Sequence, residues 1–423
     1  MMCRRKQFMK CCKINKKFWR VRKGMVNEMK LSYKATTYAC FMGYVVQAIV
    51  NSFVPLLFVT FQKSYGIPLS EITLLITINF VIQLLVDMLS AGFIDKIGYR
   101  ASVILAHIFA ALGLGLLTVL PEVFENSFVG ILLSVSVYAI GGGLLEVLVS
   151  PIIEACPTDN KESAMSLLHS FYCWGCTGVV LLSTIFFSLF GTGNWKILTL
   201  FWLLIPIGNL ILFTKVPIYS LQEEGECGMS FVELVKEKTF WFLMVMMLCA
   251  GAAEQSVSQW ASTFAEEGLG ITKTVGDLVG SMSFSILMGL SRLLYGKYGE
   301  KLDLDRFMKA SSFLCILSYL GIALVPFPMV ELICCGICGF SVGILWPGTF
   351  SKASASLRRG GTVLFAMLAL AGDLGCSGGP TLVGFVSSAW NNNLRAGILA
   401  GIVFPTLLFA GLSFSGKRQK NEK

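Results

Sequence analysis

Glu146 stands deep in a long apolar run, GGGLLEVLVS, and a second acid, Glu154, follows two turns later, just before a polar loop. The chain then re-enters an apolar stretch whose first turns hold His169, Tyr172 and Trp174. An ionisable group in such surroundings is costly unless it is paired, protonated or near water, so each one marks a function by default. A carboxyl group whose protonation changes with access to water is what proton coupling requires, which makes Glu146 the candidate proton carrier. His169 is a candidate relay, because imidazole titrates near neutral pH. Glu254 is a third candidate of the same kind. Glu154, close to the loop, is expected to orient a gate.

A second set of residues could bind a polar solute. Gln47 and Asn51 share a helical face, as do Gln255 and Gln259. With Glu254 and Trp260 the latter pair forms the run GAAEQSVSQW. Amides can bond hydroxyl groups while an indole covers the apolar face of a sugar ring, so Tyr172, Trp174, Trp260, Trp346 and Asp373 join the amides as candidate solute contacts. The blander reading of such amides is helix-to-helix hydrogen bonding, worth about 0.6 kcal/mol each in a membrane. Asn79, Gln83 and Asp87 form a further polar stripe that must face protein or water rather than lipid. Asp87 lies furthest along that stripe and is assigned to a latch, and His107, without polar company in sequence, is read as structural.

The elements that position these groups follow from composition. The chain has 423 residues, of which 55% are hydrophobic and only 14% charged. A soluble chain carries roughly 25% charged residues, so too few are present to cover a water-facing surface. Apolar segments of about 20 residues recur twelve times, separated by Gly, Pro, Asn and Asp punctuation. The fold expected is an all-α membrane protein of twelve transmembrane helices.

The net charge of +9 is concentrated: residues 1–30 hold eleven Lys or Arg and the single acid Glu28. That excess reads as a basic tail beside an anionic lipid leaflet, not as a nucleic-acid-binding domain. Its basic region and the apolar run behind it are both too long for a secretory signal. Loops on one side carry Lys96, Arg100, Lys161, Lys215, Lys236, Lys297, Arg306, Arg358 and Arg359, against Lys63, Lys196, Lys273 and Arg395 on the other. The positive-inside rule therefore places both termini in the cytoplasm. The fourteen cysteines sit mostly in apolar segments and are read as packing residues. No metal site and no cofactor is expected.

Gly92-x-x-Asp95-Lys96-x-Gly98-x-Arg100 resembles the loop signature of the major facilitator superfamily, with the aspartate one position early relative to Gly92. The second half repeats a basic, Gly-containing turn, SRLLYGKYGEKLD, that has Gly296 where the aspartate would stand. This resemblance implies two six-helix halves and gives Gly92, Asp95, Lys96, Gly98 and Arg100 the role of a latch between them. Arg292, just before the second turn, is grouped with that latch and expected to pair with an acid. LLHSFYCWG and GAAEQSVSQW resemble the fucose permease-like branch of sugar–proton symporters. That branch has a span-one aspartate, where this chain offers Gln47 and Asn51.

The expected organisation is a basic tail over 1–31, a first half over 32–216, a cytoplasmic linker over 217–238, a second half over 239–416 and a tail over 417–423. No phosphate-cradling loop, Ser-His-Asp set or zinc spacing stands out, and no channel filter motif recurs, which argues against an enzyme, an ATP-driven pump or a channel. The expected function is secondary transport of a small polar solute, a sugar, by proton symport in the cell membrane, by a monomer. An exporter of amphipathic compounds, an uncoupled facilitator and a transporter-like sensor are the alternatives.

Overall fold

A computed structural model describes residues 33–219, 221, 229–259, 261, 280, 282–391 and 393–421. Among them the regular structure is helical throughout. In chain order the elements are α1 (Tyr33–Leu57), α2 (Phe58–Tyr65), α3 (Leu69–Ile97), α4 (Tyr99–Leu117), α5 (Leu120–Val123), α6 (Ser127–Ala155), α7 (Lys161–Phe190) and α8 (Trp195–Lys215). After the connection come α9 (Phe231–Lys236), α10 (Lys238–Ser258), α11 (Met282–Tyr298), α12 (Leu304–Leu324), α13 (Pro328–Val342), α14 (Leu345–Ser356), α15 (Gly361–Ala389), α16 (Leu394–Gly401) and α17 (Val403–Asn421).

Among the described residues ten stretches are long and apolar enough to cross a membrane, counting α13 with α14 and α16 with α17 as single spans. The 29-residue α3 and the 17 described residues of α11 are further long helices, consistent with twelve spans. These helices are apolar on most faces, so lipid and neighbouring helices, not water, surround them.

Local signals set the helix ends. Asn126 accepts from the Phe128 N–H, Asn160 from Ser163 and Asp303 from Arg306, each side chain satisfying a donor left free by the first helical turn. Ser230 and Glu233 form a reciprocal capping box that starts α9. The Ser230 backbone and hydroxyl donors hold the exposed Glu233 carboxyl below the usual range. Between α3 and α4 the chain reverses at Gly98, whose φ of 85° and ψ of 152° suit a residue without a side chain.

Among the described residues the most extensive seams between the halves are α7 on α11 and α3 on α15, with α14 also meeting α7 and α15 meeting α6. Within the second half, α10 lies along α15 at close range: a Cβ built on Gly375 would fall 2.0 Å from the Leu248 carbonyl oxygen. Small residues at such a contact let two backbones approach, which drives helix association where lipid competes for apolar surface.

Candidate functional site: a cavity between the halves

A cavity of about 500 Å³ lies where α1, α3, α6 and α7 face α10, α11, α14 and α15. Its first-half wall carries three polar groups of side chains among apolar ones. Tyr44, Gln47 and Asn51 recur on one face of α1 and all line the cavity. Gln47 Nε2 donates to Glu146 Oε2 at 2.6 Å, tying α1 to α6. Asn51 Nδ2 donates to the Tyr172 hydroxyl at 3.2 Å, and its Oδ1 accepts from Gln83 Nε2 at 2.8 Å and Asn79 Nδ2 at 3.2 Å. One turn deeper, the Tyr44 hydroxyl lies 3.1 Å from Ser150 Oγ and 3.4 Å from His169 Nε2.

The second-half wall is organised by a cation. Arg292 reaches from α11 to Glu254 on α10, with Nη2 3.1 Å from Oε2. Its Nε donates to the Gly343 carbonyl at 2.8 Å, at the break between α13 and α14. Its Nη1 crosses to the other half, to the His169 carbonyl at 3.2 Å and Cys173 Sγ at 3.0 Å. Arg292 is 3% exposed and Glu254 8% exposed, so the ion pair is desolvated and its remaining donors are satisfied by backbone and sulfur. Above it, Gln259 Nε2 donates to Gln255 Oε1 at 3.3 Å. Trp346 presses onto α15 at Gly372: a Cβ there would lie 2.1 Å from the indole, so only glycine leaves room for the ring.

The cavity is displaced toward one end of the bundle. Its residues sit in the last turns of α10, in the later half of α15 and in the earlier half of α3. All of these are the ends remote from the Gly98 turn. Nearer that turn the halves are joined. Ser354 Oγ donates to Glu154 Oε1 at 2.5 Å, the Tyr295 hydroxyl to Glu162 at 2.8 Å, and Ser166 Oγ to the Arg292 carbonyl at 2.7 Å. The Tyr99 and Thr362 hydroxyl groups meet at 2.5 Å.

Eleven of the singled-out residues thus share the cavity: Gln47, Asn51, Glu146, His169, Tyr172 and Glu254 with Gln255, Gln259, Arg292, Trp346 and Asp373. Arg292 lines the cavity and pairs with an acid, Glu254, while its Nη1 and its carbonyl also make contacts across the halves. Trp174 does not line the cavity; its ring lies against Gly289 on α11. Trp260 and the side chain of Asp95 lie outside the described residues. Gly92 and Lys96 end α3 on the exposed side. Arg100 donates to the carbonyls of Phe213, Thr214 and Val216, so its contacts bind α4 to the end of α8 within one half. Glu154 contacts both halves, through Ser354 and, at 3.5 Å, Lys161.

Tyr44, Ser150, Asn79 and Gln83 join the site without having been singled out as solute or proton residues. Tyr44 could have been found from its i, i+3, i+7 spacing with Gln47 and Asn51, and Gln83 from the polar stripe of α3. Nothing in the local sequence flags Ser150. His107 is buried between the Val103 carbonyl at 2.7 Å and Asn209 Nδ2 at 2.8 Å, well away from the cavity. Among the described residues no cluster of His, Cys, Asp or Glu is arranged to hold a metal ion.

The family model described as Major Facilitator Superfamily matches residues 40–380. Among solved structures, the chain is similar to FucP, the E. coli fucose:proton symporter, at 16% identity over 90% of this chain and 99% of that one, with a TM-score of 0.75. A second structure of FucP, in its outward conformation, gives a TM-score of 0.76 at the same identity and coverage. The human organic anion transporter MFSD10 is 14% identical over 90% of this chain and 99% of its own, with a TM-score of 0.70. The proton:xylose symporter XylE is 11% identical over 92% and 96%, with a TM-score of 0.72. No curated protein sequence matches the chain. At these identities the likeness is one of fold.

Proposed function

The chain belongs to the major facilitator superfamily, and from that premise we propose that it carries a small polar solute, a sugar, across the membrane together with a proton. The observation that carries this reading is Glu146, set in the cavity wall and hydrogen-bonded to Gln47 beside a ring of amides. The amides of Asn51, Gln83, Gln255 and Gln259 supply donors and acceptors for hydroxyl groups, and Trp346 offers an aromatic face. Glu146 carries the proton, His169 relays it through Tyr44 and Ser150, and Glu254 exchanges its hold on Arg292 as the cavity fills.

The basic end is assigned to the cytoplasm by the positive-inside rule, which makes the present conformation outward-facing and the Glu154–Ser354 contact part of the inner gate. Alternating access then proceeds by rocking of the two halves about the central site. In this assignment the latch residues of the Gly92–Arg100 turn set how readily the inner seam parts, and a monomer in the cell membrane suffices.

The test is uptake of labelled sugars into proteoliposomes with and without an imposed pH gradient. Gradient-dependent accumulation of at least one sugar is expected, and its absence across a broad panel overturns the symport reading. Binding without any flux would instead indicate a sensor. One observation favours a second reading: Arg292 lines the cavity, and an anionic solute could compete with Glu254 for it. Carboxylate-bearing solutes therefore belong in the panel, and uptake of these alone would replace the sugar assignment.

A further inference from the structure

Asp87 on α3 is fully buried, and neither of its carboxylate oxygens meets a hydrogen-bond donor. Across the seam it interacts instead with Asp373 of α15, the helix that α3 packs against from the other half. Among the described residues the charged groups acting on Asp87 are acids, Asp373 and Glu146. Asp373 also acts on Glu146, with which it lines the cavity, and on Cys376 one turn along α15. The nearest cation of the cavity, Arg292, is spent on Glu254, Cys173 and two carbonyls. The one hydroxyl close by on α3, Ser90 Oγ, donates to the Asp87 carbonyl and not to its carboxylate.

Two carboxylates acting on each other without a cation, one fully buried and the other half-buried at the cavity wall, are costly to ionise together. With one proton between them the same pair becomes an O–H···O hydrogen bond joining the halves. This accounts for a buried acid without any other donor. We propose that Asp87 and Asp373 hold a single shared proton that keeps the α3–α15 seam closed, and that its release to water parts the two halves. Once the O–H bond has broken and the proton has left to water, two negative charges oppose each other and favour separation. Acid therefore stabilises the conformation seen here, and alkali the alternative one. The idea extends the proton-coupled reading of the cavity, but it places a proton outside the Glu146–His169 chain and makes the conformational balance itself pH-dependent. No solute is needed to examine it.

The experiment uses the full chain in lipid nanodiscs. Infrared difference spectra between acid and alkaline buffer should show a protonated-carboxyl band that titrates. Asp87→Asn and Asp373→Asn should each remove that same band, while Glu146→Gln retains it with its midpoint moved, because Glu146 acts on the pair. A band that survives either aspartate substitution overturns the shared proton, and if one variant fails to fold the other decides. In parallel, hydrogen–deuterium exchange of peptides spanning 352–364 is compared between wild type and Asp87→Asn at matched pH, so that intrinsic exchange chemistry cancels. The ratio should rise with pH, by up to about tenfold per unit for a one-proton linkage. A ratio that stays flat shows that the seam does not respond to the pair and overturns the opening step. A failure of sugar uptake would leave both readings of this experiment intact, so the two proposals fail separately.

Discussion

At the scale of the residue, the pairing of Arg292 with Glu254 gives the sharpest expectation. The pair is desolvated, and a buried ion pair that loses one partner leaves an uncompensated charge costing about 3–5 kcal/mol. Glu254→Gln should therefore lower the thermal stability of the purified protein markedly, and adding Arg292→Gln should recover most of the loss. Equal melting temperatures for parent and single variant would show that water or another acid compensates Arg292. Glu146 calls for a different measurement. Glu146→Gln keeps a hydrogen-bonding partner for Gln47 while removing the exchangeable proton, so solute exchange should persist while uptake driven by a pH gradient falls to background. Gradient-driven uptake at the parental rate would make Glu146 structural. The individual residues of this site were legible where a polar group interrupted an apolar run. Their partners were not, because Glu254 and Arg292 lie on different helices and no periodicity links them.

At the scale of the element, the two glycines of the Gly92–Arg100 turn are not equivalent. Gly98 has positive φ, and an added Cβ would meet nothing within 4 Å. The cost of Gly98→Ala is therefore conformational alone, about 1–3 kcal/mol. Gly92 lies within α3 with equally open surroundings, where Ala is the better helix former by roughly 0.5–1 kcal/mol. Gly92→Ala should leave the unfolding temperature unchanged or raised, whereas Gly98→Ala should lower it; a thermal shift of the same sign for both would contradict this geometry. The sequence marked the turn and its handed glycine. It did not mark the destination of Arg100, because the carbonyls at the end of α8 lie more than a hundred residues away and carry no side-chain signature. Helix spans were readable because hydropathy is a property of each segment alone. The break at Gly343 was not, since what makes it matter is an Arg292 donor arriving from another helix.

At the scale of the molecule, the contacts nearer the Gly98 turn include polar ones that cross between halves beside apolar packing, so losing a polar one should shift the balance between conformations. Cys156 offers a native reporter. It is 2% exposed at the end of α6, beside the Glu154 contact, and burial pushes its thiol up to about 11. Alkylation needs both access and the thiolate, so it should be slow in the present conformation. Ser354→Ala removes the cross-half donor to Glu154 and should accelerate modification of Cys156 several-fold, read by mass spectrometry at that site. An unchanged rate would show that Ser354 does not help hold the seam. The arrangement of halves was legible from the repeated turn, but which helices meet across the seams was not, since the α3–α15 and α7–α11 contacts join residues with no local relation in sequence.

The contact between Gly372 and the Trp346 indole also bears on discrimination by size. The ring occupies the space a side chain at 372 would need, so even a methyl group there must push the indole toward the cavity and shrink it. Gly372→Ala should then act as a narrower sieve, favouring a five-carbon solute over a six-carbon homologue relative to the parent, and competition between the two for uptake would register the change. The absence of one side chain on α15 is in this sense the caliper that sets how large a cargo the chamber admits.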